Sequence, residues 1–571
     1  MHDSDKIESV LRYHESTKHQ FHRYARSAGS MDWVNQPDPF RRYAGAALLP
    51  LPILGADEEP LSPRYEALYR RGSVPGAPLT LRSLSRLFEY ALALSAWKQV
   101  GDTRWALRSN PSSGNLHPTE AYLLIGALPG LAPAPGLYHY TPMEHGLELR
   151  AAGSAEWFAK LMRAFPPQAF LVALTSIQWR EAWKYGERAF RYCQHDTGHA
   201  IGTLRIAAAT LGWSAVVLHG LADETIEDLL GLNRDGDFAG AEREQPELVM
   251  LVWPNDSAAP WQAGAKRALP LGLDRHVVRE LARQGWRGSA NRLSRDDPVA
   301  WTVIDEVTLA SRRPIGARLH LDMSDAPAPD AAALPDGPTA GRLIRQRRSL
   351  LACDGTRSIT AECFYAMLAR VLPRAELPVN LRAMPWDAIA WEPRIHLALF
   401  VHRVDGLDAG LYMLVRDPTK LDKLKGATHR RFAWSTPPGC PANLALCMLE
   451  AGDARRLAAQ VSCQQDIAGD GVFSLGMIAE YRESLFTHGP WFYRRLFWEA
   501  GMIGQVLYLE AEAAGVAATG IGCFFDDPVH QVFGFGNLEF QSLYHFTVGG
   551  PVHDDRLTML APYGVHAPAR E

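Results

Sequence analysis

The sequence predicts an α+β fold that is duplicated within one chain, so that two similar halves form an intramolecular pseudo-dimer. The length of 571 residues suits two to four domains at roughly 100–200 residues each. A stretch of the first half recurs in the second half at a constant spacing. Both halves also alternate helix-like with strand-like segments, and together these observations favour a duplicated α+β domain.

The internal repeat is clearest around two glycine-bounded helical segments. Gly198 aligns with Gly501, and at the same offset Gly212 aligns with Gly515. That offset also places residues 223–231 on residues 526–534 without a gap. A register that holds through a helix, a turn and a second helix is not expected from chance similarity between helices.

Each half contains the same series of predicted elements: a helix, a buried strand, a long helix rich in small residues and a final strand. The long helix is apolar on most faces, so we expect it to be buried where the two halves meet. The other predicted segments, given for the first and then the second half, are the helix at Leu81–Trp97 and Thr360–Leu372, the strand at Ala121–Ile125 and Ile395–Val401, and the final strand at Leu248–Val252 and Tyr544–Val548.

The predicted division of the chain has four parts. An aromatic- and His-rich arm occupies residues 1–60, the first domain residues 61–256, a connecting segment residues 257–338 and the second domain residues 339–571. The boundary before the second domain is the Ala-, Pro- and Asp-rich stretch of residues 325–338, whose composition cannot bury a core.

Composition excludes several classes of protein. Lys and Arg number 59 against 63 Asp and Glu, so the formal charge of −4 offers no basic excess for binding nucleic acid. The seven cysteines are an odd number without a C-x-x-C pair, which argues against a disulfide framework and a structural zinc site. The N-terminus lacks a signal peptide, and no apolar run reaches the roughly 18 residues of a membrane span. We therefore expect a cytoplasmic protein.

One polar loop, Arg108–Glu120, has the features of a segment that binds a planar ring. Two prolines and a glycine break it into turns, and Ser112, Ser113 and Asn115 offer short polar side chains and free backbone N–H groups. The same residues would equally suit the start of a capped helix, with Ser112 or Ser113 as the N-cap.

This loop also carries a resemblance to a known family. Pro111–Asn115, Pro-Ser-Ser-Gly-Asn, resembles the flavin-contacting loop of the nitroreductase family. The longer form resembles the SagB/ThcOx-type dehydrogenases of that family, whose best-known members oxidise azoline rings to azoles. The resemblance continues in order along most of the chain, through Tyr13–His19, Lys184-Tyr185, Arg347–Ser349, Gly520–Gly522 and Val548–Arg556.

The resemblance implies a dimeric fold with FMN at the interface, where each site draws on both subunits. In this chain the first half keeps the Pro-Ser-Ser-Gly-Asn loop and the Lys-Tyr pair, while the second half keeps the remaining elements. The counterparts of these elements in the opposite half no longer match the family pattern. We therefore expect one composite FMN site and one lost site. The eroded segments are Arg70–Ser73, Trp253–Asp256, Met384–Asp387 and Gly489–Trp491.

The resemblance also implies roles for the cofactor-binding residues. Arg347 and Arg556 are expected to neutralise the phosphate of FMN, and Ser349 to hydrogen-bond the phosphate or ribityl chain. The backbone N–H of Gly522 is expected to reach flavin N5. Without the resemblance, the arginines would be interpreted as solvated or ion-paired surface residues. The predicted set is Arg108, Pro111, Ser112, Ser113, Asn115, Arg347, Arg348, Ser349, Gly520, Ile521, Gly522 and Arg556.

Lys184 and Tyr185 are the predicted catalytic pair. In azoline-oxidising relatives a Lys-Tyr pair at this place is catalytic, which implies the same role here. Oxidation of a ring bond removes a hydride to the flavin and a proton to a base, and a lysine desolvated beside an apolar ring can be that base. Tyr185 is expected to relay the proton or stabilise the developing anion. The alternative is a charged, aromatic helix flank without a catalytic role.

Three other patterns carry less weight. His195 and His199 have the spacing of a metal-binding pair but lack a third ligand, which favours a buried or interface histidine pair. Ser95–Lys98 matches S-x-x-K without the partner motifs of β-lactamases. Gly534-Phe-Gly536 lacks the third glycine of a dinucleotide-binding fingerprint.

The sequence thus predicts an FMN-dependent oxidoreductase of the SagB type. It is expected to dehydrogenate an azoline-like heterocycle or an amino-acid-derived substrate, small molecule or peptide, with dioxygen reoxidising the flavin. Two alternatives stay open, an NAD(P)H-dependent nitro or quinone reductase and a flavin-free peptide-binding subunit of a biosynthetic complex. Whether a cyclodehydratase partner is needed stays open. We expect the chain to be a monomeric pseudo-dimer or a homodimer, and we expect it to bind neither membranes, nucleic acid nor metal.

Overall fold

In a computed structural model, the structure describes residues 3–255, 268–282, 285–323 and 335–564. The helices, in chain order, are α1 (Asp3–Ser16), α2 (Leu81–Ala91), α3 (Ala155–Met162), α4 (Gln178–Tyr185), α5 (Ala189–Thr210), α6 (Asp223–Leu230), α7 (Arg275–Ala282), α8 (Thr302–Ala310), α9 (Ala340–Gln346), α10 (Ala361–Arg370), α11 (Leu421–Ala427), α12 (Arg455–Val461), α13 (Ile467–Asp470), α14 (Tyr481–His488), α15 (Phe492–Ala513) and α16 (Asp526–Phe533).

The strands, in chain order, are β1 (Tyr43–Ala44), β2 (Leu48–Pro50), β3 (Leu94–Val100), β4 (Thr103–Arg108), β5 (Thr119–Ile125), β6 (Gly136–Thr141), β7 (Gly146–Ala152), β8 (Phe170–Ser176), β9 (Trp213–Val217), β10 (Gln245–Pro254), β11 (Ala268–Pro270), β12 (Ser289–Ala290), β13 (His320–Asp322), β14 (Ile359–Thr360), β15 (Ile395–Val401), β16 (Val404–Asp405), β17 (Gly410–Leu414), β18 (Leu446–Ala451), β19 (Phe473–Glu480), β20 (Ala517–Ile521), β21 (Phe540–Gly549) and β22 (Thr558–Leu560).

Two large antiparallel sheets, one in each half, form the framework. The first has the order β2-β7-β6-β5-β8-β10-β9 and the second the order β18-β17-β15-β19-β21-β20. Apart from β2 at one edge, both sheets arrange their strands as third, second, first, fourth, sixth and fifth along the chain. The mixture of these sheets with the helices around them confirms the predicted α+β class.

The two long helices α5 and α15 pack against each other at the centre of the molecule. Every residue of α5 is buried, as its small, apolar composition predicts. The helices approach closely at two glycines, since a Cβ added to Gly198 would lie 2.9 Å from the Cα of Gly501. The aligned glycines of the repeat are thus the residues at which the two halves touch backbone to backbone.

Two buried ion pairs cross between the halves in a reciprocal way. Arg191 on α5 donates to Asp526 at the start of α16 at 2.7 Å. Arg494 on α15 donates to both oxygens of Asp223 at the start of α6, at 2.8 and 2.7 Å. These four residues correspond in the repeat, because Arg191 aligns with Arg494 and Asp223 with Asp526. These ion pairs therefore fix α5 to α16 and α15 to α6, in each case across the two halves.

The helix predicted at Leu81–Trp97 is too long, because α2 ends at Ala91 and β3 begins at Leu94. Thr80 and Ser83 form a capping box that fixes the start of α2. Residues 94–100 instead lie between β4 and β22 in a three-stranded sheet. Pairing with strands elsewhere in the chain outweighs the local helical pattern of this segment.

The arm and the connecting segment cover the first half. In the arm, β2 adds an edge strand to the first sheet, β1 pairs with β12, and α1 packs on α8. In the connecting segment, α7 packs on α3 and α6. Residues 325–334 of the predicted boundary lie outside the described residues, so the division into domains stays a prediction. Within the described ranges, no helix combines the length and apolar character that crossing a membrane requires.

Candidate functional site

The loop before β5 is fixed by a carboxyl on α5. The backbone N–H and the Oγ of Ser113 each donate to Oδ1 of Asp196 at 3.0 Å. Asn115, at φ 60°, donates from Nδ2 to the carbonyl of Ala106 at 2.8 Å. Ser112 Oγ accepts from the N–H of His117 at 2.8 Å. The polar groups predicted to face a flavin ring therefore also hold the shape of their own loop.

Asp196 is a site residue that the sequence reasoning missed. It lies between His195 and His199, a pair whose spacing resembles that of metal ligands. Burial raises its pKa to about 7, against the hydrogen bonds from the serines of the loop. The available signal was the single acidic residue of a long helix rich in small and apolar side chains.

The two histidines themselves bond to the neighbouring strand β21. His195 Nε2 donates to the carbonyl of Leu543 at 3.0 Å, and His199 Nε2 lies 3.2 Å from the hydroxyl of Tyr544. Burial lowers the pKa of both imidazoles, that of His199 to about 3. Within the described residues, no group of three or more His, Cys, Asp or Glu side chains is arranged to hold a metal ion.

Lys184 and Tyr185 end α4 beside the loop. Gly186, at φ 54°, accommodates the turn out of the helix. The hydroxyl of Tyr185 packs against Gly114, where an added Cβ would lie only 2.6 Å from the oxygen. Lys184 Nζ lies 5.3 Å from the centre of the Tyr185 ring. The structure therefore brings the predicted catalytic pair to the predicted ring-binding loop.

Glu181, one turn earlier on α4, was also missed. Its carboxyl is fully buried, and neither oxygen has a hydrogen-bond partner within the described part of the chain. Burial raises its pKa well above the usual range, and Asp196 raises it further while Lys184 lowers it. A buried carboxyl with a raised pKa and no hydrogen-bond partner thus lies beside the predicted catalytic pair.

The glycine turn of the second half lies at the end of β20 among aromatic side chains. The N–H of Gly520 donates to the hydroxyl of Tyr508 at 3.1 Å, and Ser349 Oγ lies 2.9 Å from the same hydroxyl. The ring of Tyr192 on α5 leaves no room for a Cβ at Gly522. Ile521 between the two glycines is buried.

A cluster of cations lies where Arg347 and Arg348 approach the first half. Arg347 Nη2 donates to the carbonyl of Arg108 at 3.1 Å, and Arg348 Nη2 to that of Ser95 at 3.1 Å. Burial and the neighbouring charge of Arg347 together lower the pKa of Arg348 to about 10. The Nε atoms of both arginines and the Oγ of Ser95 are buried without partners among the described residues.

Lys98 on β3 completes this cluster and was missed by sequence reasoning. Burial lowers its pKa, and Arg348 and Arg347 lower it further, which shows that three positive charges share one region. The S-x-x-K spacing drew attention to Ser95 and Lys98, but only as a β-lactamase motif. Three partly desolvated cations with unpartnered donors are an arrangement that suits a phosphate.

Two predicted arginines lie apart from this cluster. Arg108 is buried, donates to the carbonyl of Pro39 and stacks over Phe40, and burial lowers its pKa to about 10. Arg556 is on the surface with its side chain 83% exposed, paired with Asp554 at 2.7 Å. The structure does not bring the guanidinium of Arg556 to Arg347, and its predicted contact with phosphate stays a prediction.

The fit of FMN can be examined at two places, the cation cluster for its phosphate and the space between the loop and the glycine turn for its ring system. The cation cluster and the unpartnered Ser95 Oγ fit the phosphate. Between the loop and the glycine turn, the rings of Tyr185 and Tyr192 lie 4.3 Å apart and connect Gly114 to Gly522. A planar ring system enters this space only after one of the two tyrosine rings moves.

Comparison with known proteins identifies the fold. A family model described as "Nitroreductase family" matches residues 77–241. "Putative nitroreductase MJ1384" of Methanocaldococcus jannaschii is 28% identical over 194 residues, which are 33% of this chain and 88% of that protein. The crystal structure of a "putative nitroreductase" from Anabaena variabilis is 21% identical, covers 95% of this chain and 99% of that chain, and has a TM-score of 0.64. Residues 77–241 thus resemble the nitroreductase family, and the predicted nitroreductase-like fold is confirmed.

Proposed function

We propose that this chain, with its nitroreductase-like fold, is an FMN-dependent oxidoreductase with one composite site. One observation carries the proposal: elements of both halves converge, because Tyr185 packs on the loop at Gly114 and its ring contacts Tyr192, which packs on Gly522 of the second half. The cations at Arg347 and Arg348 would hold the phosphate of FMN. When bound, FMN supplies a hydride acceptor.

We further propose that the two halves are a duplicated domain with a single working site. The shared strand order and the reciprocal ion pairs support the duplication. At the position of Gly522, the first half has His219, and at the position of Tyr192 the second half has Arg495. Arg495 Nη2 donates to the carbonyl of His219 at 2.8 Å, so a charged contact replaces the glycine turn on that side.

The proposed reaction is the dehydrogenation of an azoline-like heterocycle or an amino-acid-derived substrate, as in the SagB-type enzymes that the sequence resembles. Lys184 would take the proton of the substrate, and the adjacent Tyr185 would stabilise the developing anion. Glu181, one turn earlier on α4, would hold a proton close to Lys184 and Tyr185. Asp196 would fix the loop that faces the substrate. A cyclodehydratase partner would supply the heterocycle if the substrate is a peptide.

The first prediction concerns flavin content. The full chain, incubated with FMN and freed of excess, is expected to retain about one FMN per chain, measured by absorbance after heat release. Arg348→Ala is expected to weaken FMN binding about 10- to 100-fold, because each charge-assisted hydrogen bond contributes roughly 1.5–3 kcal/mol. Arg556→Ala tests separately whether the exposed Arg556 contributes to FMN binding. Equal FMN affinity in Arg348→Ala and the unchanged protein would contradict the phosphate assignment.

The second prediction concerns the catalytic pair. Lys184→Ala is expected to lower the dehydrogenation rate about 100-fold, because a positioned base contributes roughly 10²- to 10⁴-fold. FMN affinity should stay unchanged, which separates this effect from loss of the cofactor. The control is Lys160→Ala on α3, an exposed lysine of the same half. Steady NAD(P)H oxidation with a quinone or nitroaromatic acceptor, at the same rate in Lys184→Ala, would favour the reductase alternative instead.

A flavin-free binding subunit is the second candidate, and a specific observation favours it. The rings of Tyr185 and Tyr192 already fill the space between Gly114 and Gly522. If this packing is permanent, the full chain should retain no FMN even in excess, while Tyr192→Ala should restore binding. Flavin bound by the unchanged protein would rule this candidate out.

A further inference from the structure

Two cysteines face each other immediately beyond the glycine turn. Cys523 follows Gly522, and Cys463 lies in the turn after α12 at φ 56°. The N–H of Phe525 donates to the carbonyl of Val461 at 2.8 Å, and the side chain of Gln465 donates to the carbonyl of Cys523 at 3.0 Å. These bonds hold the two segments side by side, close enough for the two thiols to shift each other's pKa.

The surroundings shift the pKa values of the two thiols in opposite directions. The hydrogen bond from Cys463 lowers the pKa of Cys523, and His19 and Arg188 lower it further, while burial acts in the opposite direction. His19 Nδ1 accepts from the N–H of Ala25 at 2.9 Å, which leaves Nε2 for Cys523. The pKa of Cys463 is raised by the same pair interaction. Cys523 is therefore the thiol of the pair whose pKa is lowered, and Cys463 the one whose pKa is raised.

Accessibility distinguishes this pair from the buried cysteines of the chain. Cys463 and Cys523 are both partly exposed, whereas Cys193 is fully buried on α5. All seven cysteines are free thiols in the structure. A partly exposed, low-pKa thiolate beside a second thiol is the arrangement of an attacking and a resolving cysteine.

We propose that Cys523 and Cys463 form a redox-active dithiol that reduces small disulfides. The Cys523 thiolate attacks one sulfur of the disulfide, forms a mixed disulfide and releases one small thiolate. The Cys463 sulfur then attacks Cys523 Sγ, its proton passes to solvent or to the departing thiolate, and the second small thiol leaves. Two protein thiols are oxidised to one disulfide, and the small disulfide is reduced to two thiols. This reaction does not depend on FMN.

The test uses the full reduced chain and the aromatic disulfide dithionitrobenzoate at pH 6. At this pH an ordinary thiol with a pKa of about 8.5 is less than about 1% ionised. After allowing for the weaker nucleophilicity of a low-pKa thiolate, we expect a fast phase about 10-fold faster than the other thiols. In the unchanged protein this phase should release two thionitrobenzoates per chain and leave a Cys463–Cys523 disulfide, located by peptide mass spectrometry.

The variants divide the reaction into its two steps. Cys463→Ser should release one thionitrobenzoate in the fast phase and keep a mixed disulfide on Cys523. Cys523→Ser should lose the fast phase, and Cys363→Ser, which removes a partly exposed cysteine elsewhere, should change nothing. Circular dichroism checks that each variant is folded. A fast phase that persists in Cys523→Ser, or a disulfide between other cysteines, would overturn the proposal.

Discussion

Asp526→Asn is expected to destabilise the protein by about 3–5 kcal/mol, because it leaves buried arginines without a carboxylate. The Asp526 carboxylate is fully buried and accepts from Arg188 at 3.0 Å, Arg191 at 2.7 Å and the N–H of His19 at 2.9 Å. One side chain therefore joins α5, α16 and the N-terminal arm. The measurement is the urea midpoint of unfolding, monitored by tryptophan fluorescence.

The pH dependence of this effect has a defined sign. Burial alone would raise the pKa of Asp526, but Arg188 and Arg191 outweigh it and hold the pKa well below the usual range. A depressed carboxyl pKa stabilises the folded state above the unfolded pKa of about 3.9, and this stability is lost as pH falls below that value. The difference between Asp526→Asn and the unchanged protein should be constant from about pH 5 to 8 and shrink in acid.

Asp453→Asn is the matched control for this prediction. Asp453 also pairs with an arginine, Arg455 at 2.6 Å, but both side chains are more than half exposed. Solvent screens such a pair, so its removal should leave the urea midpoint unchanged. Equal midpoints for Asp526→Asn and Asp453→Asn would show that the buried cluster does not stabilise the fold.

Gly198→Ala is expected to cost about 3 kcal/mol, at the upper end of the usual range for overpacking. The new methyl group would meet the backbone of Trp498 and the Cα of Gly501 on α15. Neither can yield as a flexible side chain would, so the two central helices must separate. Because the proposed FMN site lies between the halves, FMN binding should weaken together with the thermal midpoint, as measured by calorimetry and flavin titration.

Gly426→Ala provides the corresponding control on α11. This glycine is also helical, but no atom lies within 4 Å of an added Cβ. Alanine favours the helix over glycine by about 1 kcal/mol, so this variant should be neutral or slightly more stable. If Gly198→Ala behaved in the same way, the crossing of α5 and α15 would be looser than the structure indicates.

The sequence was sufficient to predict the α+β class, the buried central helices and the strands at Ala121–Ile125 and Ile395–Val401. These features depend on local periodicity and on a repeat that is visible in the chain. The end of α2 was predicted wrongly, because residues 94–100 form a strand only through pairing with β4 and β22. The hairpin turn to β4 is local and was not recognised, whereas β22 is a distant partner that local patterns do not report.

The candidate site shows the same division. The loop at Ser113 and the Lys184-Tyr185 pair were predicted from a motif, and in the structure Tyr185 packs against this loop. Glu181 and Asp196 were missed, because their importance comes from burial and missing partners rather than from spacing. Lys98 was missed because its relation to Arg347 exists only across the two halves.

The contacts of the N-terminal arm also affect how the protein is made. The N–H of His19 bonds to Asp526, 507 residues later in the chain. At about 5–20 residues per second, a ribosome needs roughly 25–100 s to cover that distance. During this interval the arm has been synthesised while its partners on α16 do not yet exist. The nascent first half must therefore wait, exposed to chaperones and proteases, until translation reaches α16 and delivers the residues that complete this contact.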